Sequence, residues 1–227
     1  MSNLPVHIAI VPDGNRRWAQ LNGVSALQGH KKGANTMLKV VDYMADRGIK
    51  YLTLWGFSTD NWTRTPEEVE NILTLLTQWL DSHTLWVHGK GIKLRYLGRF
   101  HELPTALGNK ICEAVQLTRH NTGMVLNIAL NYSGRAEILD AVNRINQIPD
   151  QRVGETLFNT YLYTAGMPDV DLVIRTAGDY RISNFMLWQT AYSELYFTDV
   201  LWPDFDEKEI EKALSEYSER KRRFGGD

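Results

Sequence analysis

Residues 13–17, Asp-Gly-Asn-Arg-Arg, place a carboxylate, a glycine, an amide and two guanidiniums together, where the apolar run His7-Ile-Ala-Ile-Val breaks at Pro12. A metal-bound phosphate needs that inventory. The carboxylate of Asp13 holds Mg²⁺, backbone N–H groups near Gly14 approach the oxygens closely, and the arginines neutralise the remaining charge. Asp-Gly-Asn is also ordinary turn chemistry, so the stretch alone reads equally well as a surface turn. Other polar segments tilt the balance. They carry Ser58, Asp60, Asn61 and Arg64; Arg99; Asn131 and Arg135; and Arg175, Asp179, Arg181 and Ser183. With Arg16 and Arg17 these segments hold seven arginines and no lysine. Arginine is the side chain for planar, bidentate phosphate contacts, so the set predicts a ligand with several phosphate oxygens. Neither a Walker A sequence nor G-x-G-x-x-G is present, which disfavours a nucleotide.

These segments need elements to position them. Apolar, β-compatible runs predict strands at 7–11, 51–57, 92–97, 124–130, 170–174 and 194–197. Helical periodicity covers 30–48, 103–118, 136–145 and 206–223, with a short helix near 155–163 and a turn around Pro149. Thr65-Pro66-Glu67-Glu68 is a helix start: a capping threonine, proline at the first helical position, then acids. That helix runs to about His88. Its apolar set (Val69, Ile72, Leu73, Leu75, Leu76, Trp79, Leu80, Leu85, Trp86) is wider than one core stripe. Either it is buried on two sides, or one side faces the sheet and the other an apolar cavity. Strands alternating with helices predict an α/β domain spanning 1–227, with a mostly parallel central sheet flanked by helices. Ligands bind such sheets outside the carboxyl ends of the strands, where all these polar segments fall.

The chain has 227 residues, 43% hydrophobic and 23% charged, with a net charge of −2. Non-specific nucleic-acid binding is disfavoured on that charge. The single cysteine, Cys112, excludes an intrachain disulfide and a four-cysteine zinc site, and reads as a core residue. No apolar run reaches membrane-spanning length and no basic leader opens the chain, so a cytoplasmic enzyme is the expectation.

The motifs in their order resemble one family. They are Asp13-Gly14-Asn15-x-Arg17, Gly29-His30, Phe57-Ser58-Thr59-x-Asn61-Trp62-x-Arg64, Asn127-Ile128-x-x-Asn131-Tyr132-x-Gly134-Arg135, Asp171-Leu172-Val173-Ile174-Arg175-Thr176 and Arg181-Ile182-Ser183-Asn184-Phe185. Glu194-Leu195-Tyr196-Phe197, Leu201-Trp202-Pro203-Asp204-Phe205 and Arg222-Arg223-Phe224-Gly225-Gly226 continue the match. Together they resemble the cis-prenyltransferases, undecaprenyl diphosphate synthase being the nearest type.

The resemblance implies Mg²⁺-dependent condensation of isopentenyl diphosphate with an allylic diphosphate, such as farnesyl or geranylgeranyl diphosphate, to a Z-polyprenyl diphosphate. It also implies an apolar product tunnel and a homodimer whose lipid product passes to a membrane, to which the enzyme attaches at most peripherally. Asp13 and Glu194 would serve the metal. Gly14, Asn15 and Arg17 would cradle the allylic diphosphate beside His30. Arg175, Arg181 and Ser183 would bind isopentenyl diphosphate. Asn61 and Trp62 would position the homoallylic substrate, and Ser58 with Asn15 would relay the lost proton. Arg16, Trp18 and Arg64 complete the substrate-binding set. Arg223 and Gly225 would cross to the neighbouring subunit's site. Departures from the long-chain bacterial pattern are Asp60 and Asp179 for Glu, Ala26 for Arg, Arg16 for Gly and Tyr180 for His. Gly56 marks where a cavity would begin, with Met124 toward its floor. A short-chain or irregular synthase and a non-catalytic partner subunit are the alternatives.

Overall fold

The computed structural model describes residues 4–148 and 152–220. Strands β1 (His7–Val11), β2 (Tyr51–Ser58), β3 (Lys93–Leu97), β4 (Val125–Tyr132), β5 (Leu172–Arg175) and β6 (Glu194–Phe197) form one sheet in the order β3-β4-β2-β1-β5-β6. Every pairing is parallel. A parallel sheet is buried on both faces, which is why the strands read as apolar runs rather than alternations. Ile8 and Ile10 of β1 pack on one side, with α2 (Ala26–Asp46), α3 (Pro66–Gly89), α4 (Thr105–Thr118) and α7 (Glu207–Glu219). Ala9 and Val11 point the other way, toward Tyr132 and Phe185. On that side α5 (Gly134–Ile145) and α6 (Glu155–Asn159) pack through Ala141, Ile145 and Phe158.

The opening of the chain departs from expectation. Residues Asn15–Leu21 form a helix, α1, capped by Gly14 at φ 104°. That left-handed conformation favours glycine, and a Cβ there would also lie 2.9 Å from Ala177 and from Leu201. The next helix begins at Ala26, four residues before His30, because Ser25 and Gln28 form a reciprocal capping box. His30 therefore lies inside the helix. Helix α1 crosses α2 over Gly29 and Gly33: a Cβ at Gly29 would lie 2.3 Å from the Asn15 carbonyl oxygen, and one at Gly33 2.2 Å from Asn15 Oδ1. Two glycines one turn apart thus let Asn15 approach α2.

The β2–β4 pairing slips twice. Trp55 faces Ala129, Phe57 faces Leu130, and Ser58 faces Tyr132. Gly56 is the extra residue on β2 and Asn131, at φ 50°, the extra residue on β4. The bulges cancel, and both lie at the carboxyl end of the sheet. Cys112 is exposed on α4, not in the core, because Ile111 and Ala114 take the inward positions on either side of it. The Pro149 turn and residues 221–227, with Arg223 and Gly225, lie outside the described residues.

Candidate active site

β1 and β5 end side by side, with Val11 opposite Arg175. Thr176 clamps the turn after β1: its hydroxyl accepts from the Asp13 N–H at 2.8 Å and donates to the Asp13 carbonyl at 2.7 Å. Trp202 N–H donates to the same carbonyl at 2.9 Å. The Asp13 carboxylate is left partly exposed, accepting from Gly14 N–H through Oδ1 and from Arg175 Nη2 through Oδ2 at 2.9 Å. Arg175 is almost fully buried. Its guanidinium also donates to Asp179 at 3.3 Å, to Ser183 Oγ at 2.6 Å and to the Arg181 carbonyl at 2.5 Å. Ser183 and Asn184 hold positive φ values of 49° and 68°. Strained residues persist where the surroundings fix them. Here Asn184 accepts the Gly134 and Arg135 N–H groups at the start of α5, at 2.7 and 2.9 Å.

The opposite wall follows β2. Ser58 caps the 3₁₀ turn Thr59–Thr63, and Asn61 Oδ1 returns to accept the Ser58 N–H at 3.0 Å. Asn61 itself lines the cavity, where its amide N–H₂ can donate. Glu68, in the first turn of α3, accepts from Arg64 at 2.9 Å and stands 3.8 Å from Arg16 and 3.9 Å from His30 Nε2. Burial first, then the Arg64 charge, lower the His30 pKa, so the imidazole is neutral at pH 7. Its Nε2 is buried without a hydrogen-bond partner among the described residues, as is Asn15 Oδ1.

Between these walls lies a cavity of about 360 Å³. Asp13, Asn15, His30, Ser58, Asn61, Arg64, Arg175 and Ser183 line it, together with Asp60 and Trp202. Its inner part is apolar: Leu54, Gly56, Ile72, Leu75, Leu76, Trp79 and Ile128. The wide apolar face of α3 is therefore explained by a cavity on one side, while Leu85 is exposed to solvent. Met124 is buried and is not part of the lining, which corrects its expected place at the floor.

Other expected residues stand elsewhere. Arg17 donates to the Ala177 carbonyl at 2.7 Å and, like Trp18, is not part of the cavity wall. Arg181 is exposed and paired with Asp179. Arg99 is spent on Asp140 through two 2.9 Å hydrogen bonds, so the arginine rim is partly structural. Trp62 lies outside the cavity, in a surface groove with Pro66 and Pro104. Its indole N–H donates to Asn131 Oδ1 at 2.8 Å, and its ring meets Phe57 edge-on. Glu194 pairs with Leu172 at the amino end of the sheet, about 10 Å along the strands from the level of Arg175. It bonds Arg220 at 2.9 Å, so one chain does not bring it to Asp13. Among the described residues no cluster of three metal-ligating side chains forms. Glu68, Thr176 and Asn131 are positioning residues; Thr176 and Asn131 stand within the motifs, but none of the three has a role assigned from sequence. The one signal for Glu68 was its place in the first turn after Thr65.

A prenyltransferase family model, described as undecaprenyl diphosphate synthase, matches residues 11–225. The chain belongs to this family. As a member it is a prenyltransferase. It is 48% identical over 224 residues to an isoprenyl transferase of Fusobacterium nucleatum, covering 99% of this chain and 97% of the relative. It is 43% identical over 231 residues to a ditrans,polycis-undecaprenyl-diphosphate synthase of Micrococcus luteus described as (2E,6E)-farnesyl-diphosphate specific, covering 99% and 93%. A crystal structure of lavandulyl diphosphate synthase from Lavandula x intermedia, in complex with dimethylallyl diphosphate, superposes with a TM-score of 0.95 at 35% identity over 98% of both chains. A probable undecaprenyl diphosphate synthase from Campylobacter jejuni gives 0.83 at 31%, covering 99% of this chain and 100% of that one.

Proposed function

We propose that this prenyltransferase joins isopentenyl diphosphate to an allylic diphosphate of the farnesyl type, giving a Z-prenyl diphosphate, in the cytoplasm. The observation that supports the reading is a single cavity with a charged mouth and an apolar interior. The allylic diphosphate sits against Asn15, His30 and Arg64. Isopentenyl diphosphate sits against Arg175 and Ser183, with Asn61 donating from the opposite wall. The hydrocarbon lies along Gly56 and α3.

Ionisation breaks the allylic C1–O bond, and the electron pair leaves with the diphosphate. The isopentenyl double bond then closes on C1. Loss of a proton from the isopentenyl C2 restores an alkene. Among the described residues no base stronger than a carboxylate or an imidazole lines the cavity, and the departing diphosphate takes that proton in this reading, directly or through Ser58 and Asn15. Arg64 and His30 stabilise the leaving group by hydrogen bonds. Mg²⁺ fits the donor set: it is commonly held by one or two carboxylates together with substrate phosphates, and Asp13 offers a partly exposed carboxylate at the mouth. Bound there, the ion supplies Lewis-acid stabilisation of the diphosphate charge.

The test is incorporation of labelled isopentenyl diphosphate, with farnesyl diphosphate and Mg²⁺, by wild type and Asp13→Ala. The variant should lose at least about 10²-fold in kcat while its circular dichroism is unchanged. Near-wild-type turnover at saturating Mg²⁺ would refute the role of Asp13.

A further inference from the structure

The cavity does not run on through the protein. Behind it lies a separate pocket of about 20 Å³ between α3, α4 and the β3–β4 edge, lined by Leu80, Leu94, Ile111 and Ala114 among others. That is room for about one water molecule. Met37, Leu76, Trp79 and Ile128 belong to both linings, so these four side chains form the partition. Trp79 is the largest of them and is almost fully buried. His83, one turn further along α3, stacks on the indole at 5.2 Å and bonds the Trp79 carbonyl at 2.9 Å. The indole N–H is buried and has no acceptor among the described residues. A leucine would complete an apolar wall without stranding a donor. The wall thus keeps a side chain whose N–H costs stability and whose bulk separates two spaces.

We infer that Trp79 is the stop that sets product length. The inference rests on the chain-elongation reading above. Each condensation adds one isoprene unit at the diphosphate end, which stays at the mouth. The far end of the hydrocarbon therefore advances inward along Gly56 and Leu76. Growth ends when that end meets the indole. The back pocket is not used by the wild type.

Four variants and the wild type test this with farnesyl diphosphate, excess labelled isopentenyl diphosphate and Mg²⁺, the products being resolved by chain length. Trp79→Leu should lengthen the main product by at least one isoprene unit, with the KM for isopentenyl diphosphate within about twofold of wild type. Ala114→Leu, which fills the back pocket, should leave the wild-type distribution unchanged. In the Trp79→Leu background it should restore the shorter product. Trp79→Phe keeps a ring without the stranded N–H, and should give intermediate lengths. An unmoved distribution in Trp79→Leu overturns the inference, and so does a shortened product from Ala114→Leu alone. Should Trp79→Leu not fold, Trp79→Phe and Ala114→Leu decide between the same outcomes. Absence of any product from wild type would overturn the parent reading, and this one with it.

Discussion

Arg175 joins the two halves of the mouth: one buried guanidinium holds Asp13 from the turn after β1, Asp179, and Ser183 from the strained loop after β5. Lysine at 175 would keep the charge and lose the fork, so Arg175→Lys should raise the KM for isopentenyl diphosphate more than it lowers kcat. Equal KM values in steady-state kinetics would contradict that assignment. Gly33 is tested separately. A methyl there would meet Asn15 Oδ1 at 2.2 Å and Trp202 Cδ1 at 2.9 Å, so Gly33→Ala must turn the Asn15 side chain or part the helices, costing about 1–3 kcal/mol in denaturant unfolding. An unchanged midpoint would show that the contact yields freely. Asp13, Arg175 and Ser183 were legible in sequence because their chemistry is carried by residue type and by short spacing. Glu68, Thr176 and Gly33 were not, because each acts on a group far away in the chain: Arg16 and His30, the Asp13 backbone, and Asn15.

At the scale of elements, the turn bearing Ser58 and Asn61 is fastened from outside. Trp62 bonds Asn131, whose own amide donates to the Arg99 carbonyl at 3.1 Å and to Glu102 at 2.7 Å. Asn131→Ala removes the acceptor and puts alanine at φ 50°, and should cost about 1–3 kcal/mol and lower kcat. Asn131→Gly, which tolerates that backbone but still lacks the acceptor, should stay slow and so separates fastening from backbone strain; a wild-type kcat in it would contradict the fastening. Beneath the sheet, His7 is fully buried. Its Nδ1–H donates to the Pro168 carbonyl, and its Nε2 accepts from Thr53, which in turn accepts from Asn127. Burial holds the His7 pKa below the ordinary 6.5. The unfolded chain therefore binds the proton more readily. Stability from this group is complete above pH 6.5 and declines as pH falls toward the folded-state value, by at most about 1.4 kcal/mol per pH unit. Urea midpoints across that range should fall less steeply in His7→Gln; identical slopes would remove His7 from the account. Helix α3 was legible to within a residue because Thr65 and Pro66 mark its start. Helix α1 was not, since its cap is a glycine with no side-chain signal. The paired bulges at Gly56 and Asn131 leave no periodicity to read.

The whole molecule separates Glu194 from Asp13 across the sheet, and exposes Tyr192 and Leu195 beside the edge strand β6. A role for Glu194 at the metal then requires a second copy of the chain, and we propose a homodimer on that ground. Mixing a chain truncated after Arg220 with Asp13→Ala should restore one working site per dimer if the tail acts on the neighbour. Heterodimers that form and stay inactive would place the tail's action in its own chain or nowhere. In the proposed reaction one cavity receives both ends of the allylic substrate, and a crystal structure with farnesyl S-thiolodiphosphate, which resists ionisation, tests this. The diphosphate should lie among Asn15, His30 and Arg64, with the hydrocarbon passing Gly56 and Leu76 toward Trp79. Hydrocarbon lodged in the outer groove between Trp62 and Pro104 would contradict this placement.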